Sequence, residues 1–240
     1  MFPESRHDIE SESIILTKPS VACAPVCSMN ATCKISLFDK GRSIAQNLVF
    51  PGEENHKIVN EVNKWLNNFD LEDFRVVLER SSVQGNPAIL RLKVFDKKSN
   101  TTQDVAILGS GMKQLIGFIL VCVKANNGDI LLIEEPEIHL HPRNQAKVMS
   151  LLVETANKGV QLFISTHSEY LLLRLQRLIA EKKIGSKDVA IYEFQKDEDT
   201  QVFPVKLDEQ GYFEEGMPSF LDHSREEFRG LEKAQRKQEK

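Results

Sequence analysis

The stretch Ile130-Leu131-Leu132-Ile133-Glu134-Glu135-Pro136-Glu137-Ile138-His139-Leu140-His141-Pro142 constrains this chain more than any other. Four large apolar residues follow a Gly-Asp turn and precede two adjacent carboxylates. That pattern predicts a strand buried on both faces that delivers acid groups at its C-terminal end. In an open α/β sheet, ligands sit beyond the carboxyl ends of parallel strands, so Glu134 and Glu135 emerge where a nucleotide phosphate would lie. A solvated strand end is the plainer reading of the same residues.

A second apolar strand, Val160 to Ser165, ends in Thr166, His167 and Ser168. Between the two, Ala146, Met149, Leu152, Val153 and Ala156 recur at helical spacing. Pro142 stands where a helix can begin and Gly159 where it can end. A strand-helix-strand unit follows, with the second strand parallel to the first and His167 on the same sheet edge as the glutamates.

A third element precedes both. Leu108-Gly109-Ser110-Gly111-Met112-Lys113-Gln114 opens a helix with Met112, Leu115, Ile116, Ile119, Leu120 and Val123 as its apolar set. Helix N-termini carry free N–H groups and partial positive charge, and glycine lets backbone approach a ligand, which fits a phosphate-binding end. A plain N-cap explains the same Gly-Ser-Gly turn.

In this order the three stretches resemble the C-terminal half of an ATP-binding-cassette type ATPase. The likeness is to the soluble branch that includes the OLD, recombination-repair and structural-maintenance-of-chromosomes ATPases, and it covers about residues 105 to 195. LGSGMKQ stands for the signature motif, ILLIEEP for Walker B with its catalytic glutamate, EIHLHP for the D-loop and STHS for the switch histidine. The first Walker B acid is Glu134 where most of the superfamily has Asp. The implied fold is α/β, a P-loop-NTPase-like C-terminal lobe with a parallel sheet flanked by helices and an antiparallel hairpin region before it.

The resemblance assigns Glu134 to Mg²⁺ through water and Glu135 to the attacking water. His167 takes the γ-phosphate, Ser110, Gly111 and Gln114 take nucleotide on another subunit, and Glu137 and His139 belong to the D-loop. It implies ATP as cofactor, a head-to-tail homodimer with ATP between subunits, and a role in DNA maintenance or defence against phage. One motif is absent from the sequence. No G-x-x-x-x-G-K-[ST] loop occurs, and Gly41-Arg42-Ser43 lacks both the lysine and the preceding glycine. ATP hydrolysis is therefore expected only when a Walker A lobe is supplied, by a separate chain or an N-terminal segment. The alternative is a non-hydrolysing interaction module that keeps the fold and dimer surface.

With 240 residues and 41% hydrophobic content, the chain can bury a substantial core. No apolar run approaches the roughly 18 residues of a membrane span, and Met1-Phe2-Pro3-Glu4-Ser5-Arg6 does not read as a secretory signal, so no membrane partner and a cytoplasmic location are expected. A net charge of -4 gives no excess of positive charge for a polyanion, so DNA binding is not indicated by charge although the resembled family often acts on DNA. Cys23, Cys27, Cys33 and Cys122 form no Cys-x-x-Cys pair and are expected to be reduced, structural thiols. His139-x-His141 would chelate a metal if it lay in a strand, and with Glu134, Glu135 and Glu137 it could serve a metal-dependent nuclease.

The remaining segments frame this region. Residues 1–54 are expected to be irregular, with one or two short strands around Ile14-Ile15-Leu16 and Ile35-Ser36-Leu37-Phe38. Ile58, Val62, Trp65, Leu66 and Phe69 predict a helix ending at Asp70, with Trp65 as a buried anchor. Phe74–Leu78 and Ala88–Phe95 predict a hairpin, and Lys97-Lys98-Ser99-Asn100 a turn. Leucines spread through Tyr170–Ile179 predict a helix buried on nearly every side and ended by Gly185. Val189–Phe194 and Gln201–Leu207 predict a second hairpin. The expected organisation is an N-terminal segment at 1–54, the ATPase lobe at 55–215 and a charged tail at 216–240, helical from Glu226.

Overall fold

The computed structural model describes residues 12–16, 32–35, 54–81, 89–196 and 200–215, together with 229 and 231. Strand β1 spans Glu12–Leu16 and β2 spans Thr32–Ile35. Helix α1 spans Glu54–Asn68, and β3, β4 and β5 span Phe74–Ser81, Ile89–Asp96 and Thr101–Asp104. Helix α2 spans Ser110–Lys124, β6 Ile130–Glu134, α3 Pro142–Asn157, β7 Gln161–Thr166 and α4 Glu169–Ala180. Strands β8 and β9 span Val189–Lys196 and Thr200–Val205.

The main sheet has the order β2-β6-β7-β1-β8-β9. Strands β2, β6 and β7 are parallel, with Ile130 opposite Gln161 and Glu134 opposite Ser165. Strand β1 runs antiparallel between β7 and β8, and β9 is the hairpin mate of β8. The fold is thus the expected α/β arrangement, with the parallel strands β2, β6 and β7 forming one side of a mixed sheet.

Helix α3 closes the β6–β7 crossover as its terminal residues dictate. Pro142 occupies the first turn, where its missing N–H costs nothing, and His141 caps the helix by accepting from the Arg143 N–H. Gly159 follows the end at φ +88, a conformation that only glycine adopts without strain. Val148, Met149, Leu151, Leu152 and Val153 are buried, so the helix covers the sheet with its apolar stripe.

Helix α1 repeats the logic outside the main sheet. Val62, Trp65, Leu66 and Phe69 are buried, with the Trp65 and Phe69 rings 6.1 Å apart. Strand β3 is an edge of the three-stranded sheet, and the Asn63 side chain satisfies both backbone groups of Val76 there, donating to its carbonyl at 3.0 Å and accepting from its N–H at 2.7 Å. The hairpin at β3 and β4 matches the expectation, and Thr101–Asp104 adds a third strand that the sequence reading did not contain.

Three expectations are corrected by packing. In β6 Leu131 and Ile133 are buried, but Leu132 is half-buried and Ile130 is 38% exposed, so the strand is sealed on one face only. Helix α4 buries Leu171, Leu172, Leu175 and Leu178 but leaves Tyr170 and Leu173 about half exposed, so it is amphipathic rather than enclosed. It also ends at Ala180, before Gly185, because Lys182 turns the chain at φ +56 and the Lys182 and Lys183 N–H groups close on Ile179 and Leu178. Of the charged helix expected over 226–240, only Arg229 and Leu231 are described, both helical. Cys23 and Cys27 lie outside the described residues. No described helix is long and apolar enough to cross a membrane.

Candidate active site at the carboxyl edge of the parallel strands

The chain leaves β6 through a turn that two residues outside the glycine class make possible. Glu135 has φ +45 and His139 φ +59. Such left-handed backbone is uncommon for these residue types and clusters at functional sites. The turn is held by hydrogen bonds from Glu135 N–H to the Ser165 carbonyl at 2.9 Å, Ile138 N–H to the Glu135 carbonyl at 3.1 Å and Leu140 N–H to the Glu137 carbonyl at 3.0 Å.

This geometry separates three glutamates that look alike in sequence. Glu134 is exposed at the strand end. Glu135 holds its Oε1 3.7 Å from His167 Nε2, the two side chains partly exposed at 39% and 48%. Glu137 turns inward and is only 7% exposed. Its Oε1 accepts from Thr166 Oγ1 at 2.6 Å and from the His167 N–H at 2.7 Å, while its Oε2 is buried without a partner.

A polar chain continues from Thr166 into the next helix. Ser168 N–H donates to Thr166 Oγ1 at 3.0 Å, Ser168 Oγ meets Gln145 Oε1 at 2.7 Å, and Gln145 Nε2 reaches the Leu140 carbonyl at 3.0 Å. Ser168 also caps α4. Thr166, Ser168 and Gln145 therefore brace the strand end that carries His167. In the sequence the two hydroxyls flank His167 without a pattern that assigns them a role, and Gln145, on no apolar stripe, offers no local signal of its own.

The Gly109-Ser110-Gly111 turn meets the same turn from the other side. Gly109 is the N-cap of α2 and no side chain caps that helix, while Ser110 is exposed as its first residue. Gly111 lies against the His139 carbonyl, and the Gln114 amide nitrogen, one helical turn further, is buried without a partner. The structure thus brings Gly111 to His139, and Glu135 and Glu137 to His167.

The His139-x-His141 metal reading is not supported in its premise. Pro136–His139 form a turn rather than a strand, and His141 Nδ1 accepts from the Arg143 N–H at 3.3 Å. Among the described residues no group of three or more His, Cys, Asp or Glu is placed to hold a metal ion, and Glu137 is committed to Thr166 and His167. Cys122 is a buried free thiol in α2, and burial pushes its pKa up to about 12, so it remains protonated and chemically quiet.

The chain is 31% identical over 93 residues to the Old nuclease of Escherichia phage P2, a match that covers 34% of this chain and 16% of that protein, so it spans a small part of that relative's length. Among solved structures, an SmcHead bound to the C-terminal winged-helix domain of ScpA aligns with a TM-score of 0.48 at 16% identity, over 64% of this chain and 43% of that one. The Smc head domain with an extended coiled coil, bound to the C-terminal domain of ScpA derived from Pyrococcus furiosus, aligns with a TM-score of 0.46 at 14% identity, over 63% and 35%. Residues 41–174 match the family described as AAA domain, putative AbiEii toxin, Type IV TA system. That match spans more than half of the sequence and takes in β6, the turn after it and His167, and the chain belongs to this AAA-domain family.

Proposed function

We propose that the chain is the ATP-hydrolysing half of a composite nucleotide site, in which a phosphate loop supplied by another segment or chain completes the binding of ATP and Mg²⁺. The Glu135–His167 pair carries this reading, because it sets a carboxylate and an imidazole 3.7 Å apart at the carboxyl edge of parallel strands, next to the exposed Glu134. That donor set fits a hydrated magnesium phosphate. Glu134 would hold Mg²⁺ through water, as a small hard cation keeps part of its shell, and the ion would neutralise charge on the phosphates. Glu135 accepts a hydrogen bond from water and orients it, while His167 donates toward an anionic oxygen and keeps the Glu135 carboxylate in register. Ser110 and the first N–H groups of α2 offer donors to a nucleotide held by a second subunit, which would make ATP a dimerising ligand. The output would be a conformational signal in the cytoplasm to an effector acting in DNA maintenance or phage defence, and the phage relative's name, a nuclease, agrees with an effector that acts on nucleic acid.

A segment carrying a phosphate loop tests this directly. Sedimentation of the chain with that segment should show ATP-Mg-dependent association, whereas the chain alone should bind nucleotide weakly and not hydrolyse it. Association that ignores ATP in the completed protein would instead favour a non-hydrolysing interaction module.

A further inference from the structure

Two buried polar atoms on neighbouring elements lack partners and need opposite ones. Glu137 Oε2 is an acceptor, and the Gln114 amide nitrogen is a donor. A buried polar group left alone loses its solvation without return, so such atoms are rare in folded chains. The first turn of α2 and the turn after β6 touch at Gly111 and His139, and Gln114 follows Gly111 by one helical turn on the same face. The other oxygen of Glu137 is already occupied by Thr166 Oγ1 and the His167 N–H, bonds strengthened by the carboxylate's charge.

We propose that Glu137 is a positioning residue: one oxygen fixes the His167 backbone beside Glu135, and the other, unpartnered in this structure, takes the equally unpartnered Gln114 amide when the first turn of α2 closes on the turn after β6, so that the helix bearing Ser110 is tied to the strand end bearing His167. The purpose of this tie rests on the nucleotide-site reading above, but its chemistry does not. Thr166 spends its proton on Glu137 and so presents a lone pair to the Ser168 N–H, which extends the same network to the cap of α4. A displacement of α2 at Gly111 would then reach His167 through a single carboxylate.

The test uses the full chain with Glu137→Ala, Glu137→Gln, Gln114→Glu and the exchanged pair Gln114→Glu/Glu137→Gln. Two readouts follow His167 by mass spectrometry: exchange of its backbone N–H, and the rate of its modification by diethyl pyrocarbonate relative to exposed His56. Glu137→Ala should lower protection of the His167 N–H about tenfold and raise its modification severalfold, with His56 unchanged. Glu137→Gln keeps an acceptor for the His167 N–H but sets its own amide nitrogen against that of Gln114, so it should raise His167 modification about twofold or more, less than the alanine variant, and it serves as the test if that variant fails to fold. Gln114→Glu sets carboxylate against carboxylate and should free His167, while the exchanged pair restores one donor and one acceptor and should recover the parental rates.

An unchanged His167 in folded Glu137→Ala overturns the positioning role. Failure of the exchanged pair to recover what Gln114→Glu loses overturns the link to Gln114. No nucleotide enters these measurements, so their failure leaves the composite-site reading standing. Loss of ATP-dependent association in the completed protein would leave this coupling standing.

Discussion

A β-carbon on Gly111 would sit 2.7 Å from the carbonyl oxygen of His139, closer than side chains tolerate against backbone. The helix that opens with Ser110 is therefore seated on the turn after β6 by the absence of a single methyl group. Gly111→Ala should cost about 1–3 kcal/mol by overpacking, read as a melting temperature lower by several degrees. A melting curve that superimposes on the parent would mean the two segments part freely.

Ser110 has a different role at the same helix end. It makes no capping bond and is exposed, so Ser110→Arg should leave stability within roughly 0.5 kcal/mol of the parent. In the protein completed by a phosphate loop, the bulky side chain should abolish ATP-dependent association without unfolding. Unchanged association by sedimentation would remove Ser110 from the composite site.

Glu135→Gln keeps size and backbone preference while removing the charge that faces His167. In the completed protein, hydrolysis should fall by a factor on the order of 10² or more with nucleotide still bound, and ATP-linked dimers should accumulate. Turnover at the parental rate would transfer the role to Glu134.

Asp70 joins α1 to α3 through Lys147 Nζ at 2.6 Å and Arg143 Nε at 3.1 Å. The hydrogen bond from Lys147 is the main cause that holds its carboxyl below the usual range, with the charges of Lys147 and Arg143 adding to it. A depressed carboxyl stabilises the fold above its ordinary titration range and loses that contribution as pH falls through the depressed value. Asp70→Asn keeps the φ +59 turn, which asparagine accepts, and should melt lower than the parent at neutral pH. The gap between the two melting temperatures should close in acid, and a gap of constant size across the titration would refute the ion-pair account.

The Cys122 thiol should resist alkylation in the native protein at mildly alkaline pH, because burial holds its pKa at about 12, and should react once guanidinium opens the fold. Rapid native labelling of the Cys122 peptide, read by mass spectrometry, would place α2 elsewhere than in the core.

The strand-helix-strand unit was legible in the sequence because its signals are local. Apolar runs of strand length, the three-and-four spacing in α3, Pro142 at the helix start and Gly159 past its end each act within a few residues. The parallel pairing of β6 with β7 and the place of His167 on their shared edge follow from them. Pairing partners of short strands are not local: that β1 would run antiparallel between β7 and β8 depends on contacts across most of the chain. Nor could EEPE say which carboxylate faces solvent. Glu134, Glu135 and Glu137 carry the same chemistry: strand alternation leaves Glu134 outward, and the turn with positive φ at Glu135 and His139 sets Glu135 beside His167 and Glu137 into the interior. Sequence determined that acids would gather at this strand end, while the turn, closed by hydrogen bonds to β7, decided what each acid faces, because side-chain direction follows backbone torsions that distant partners stabilise.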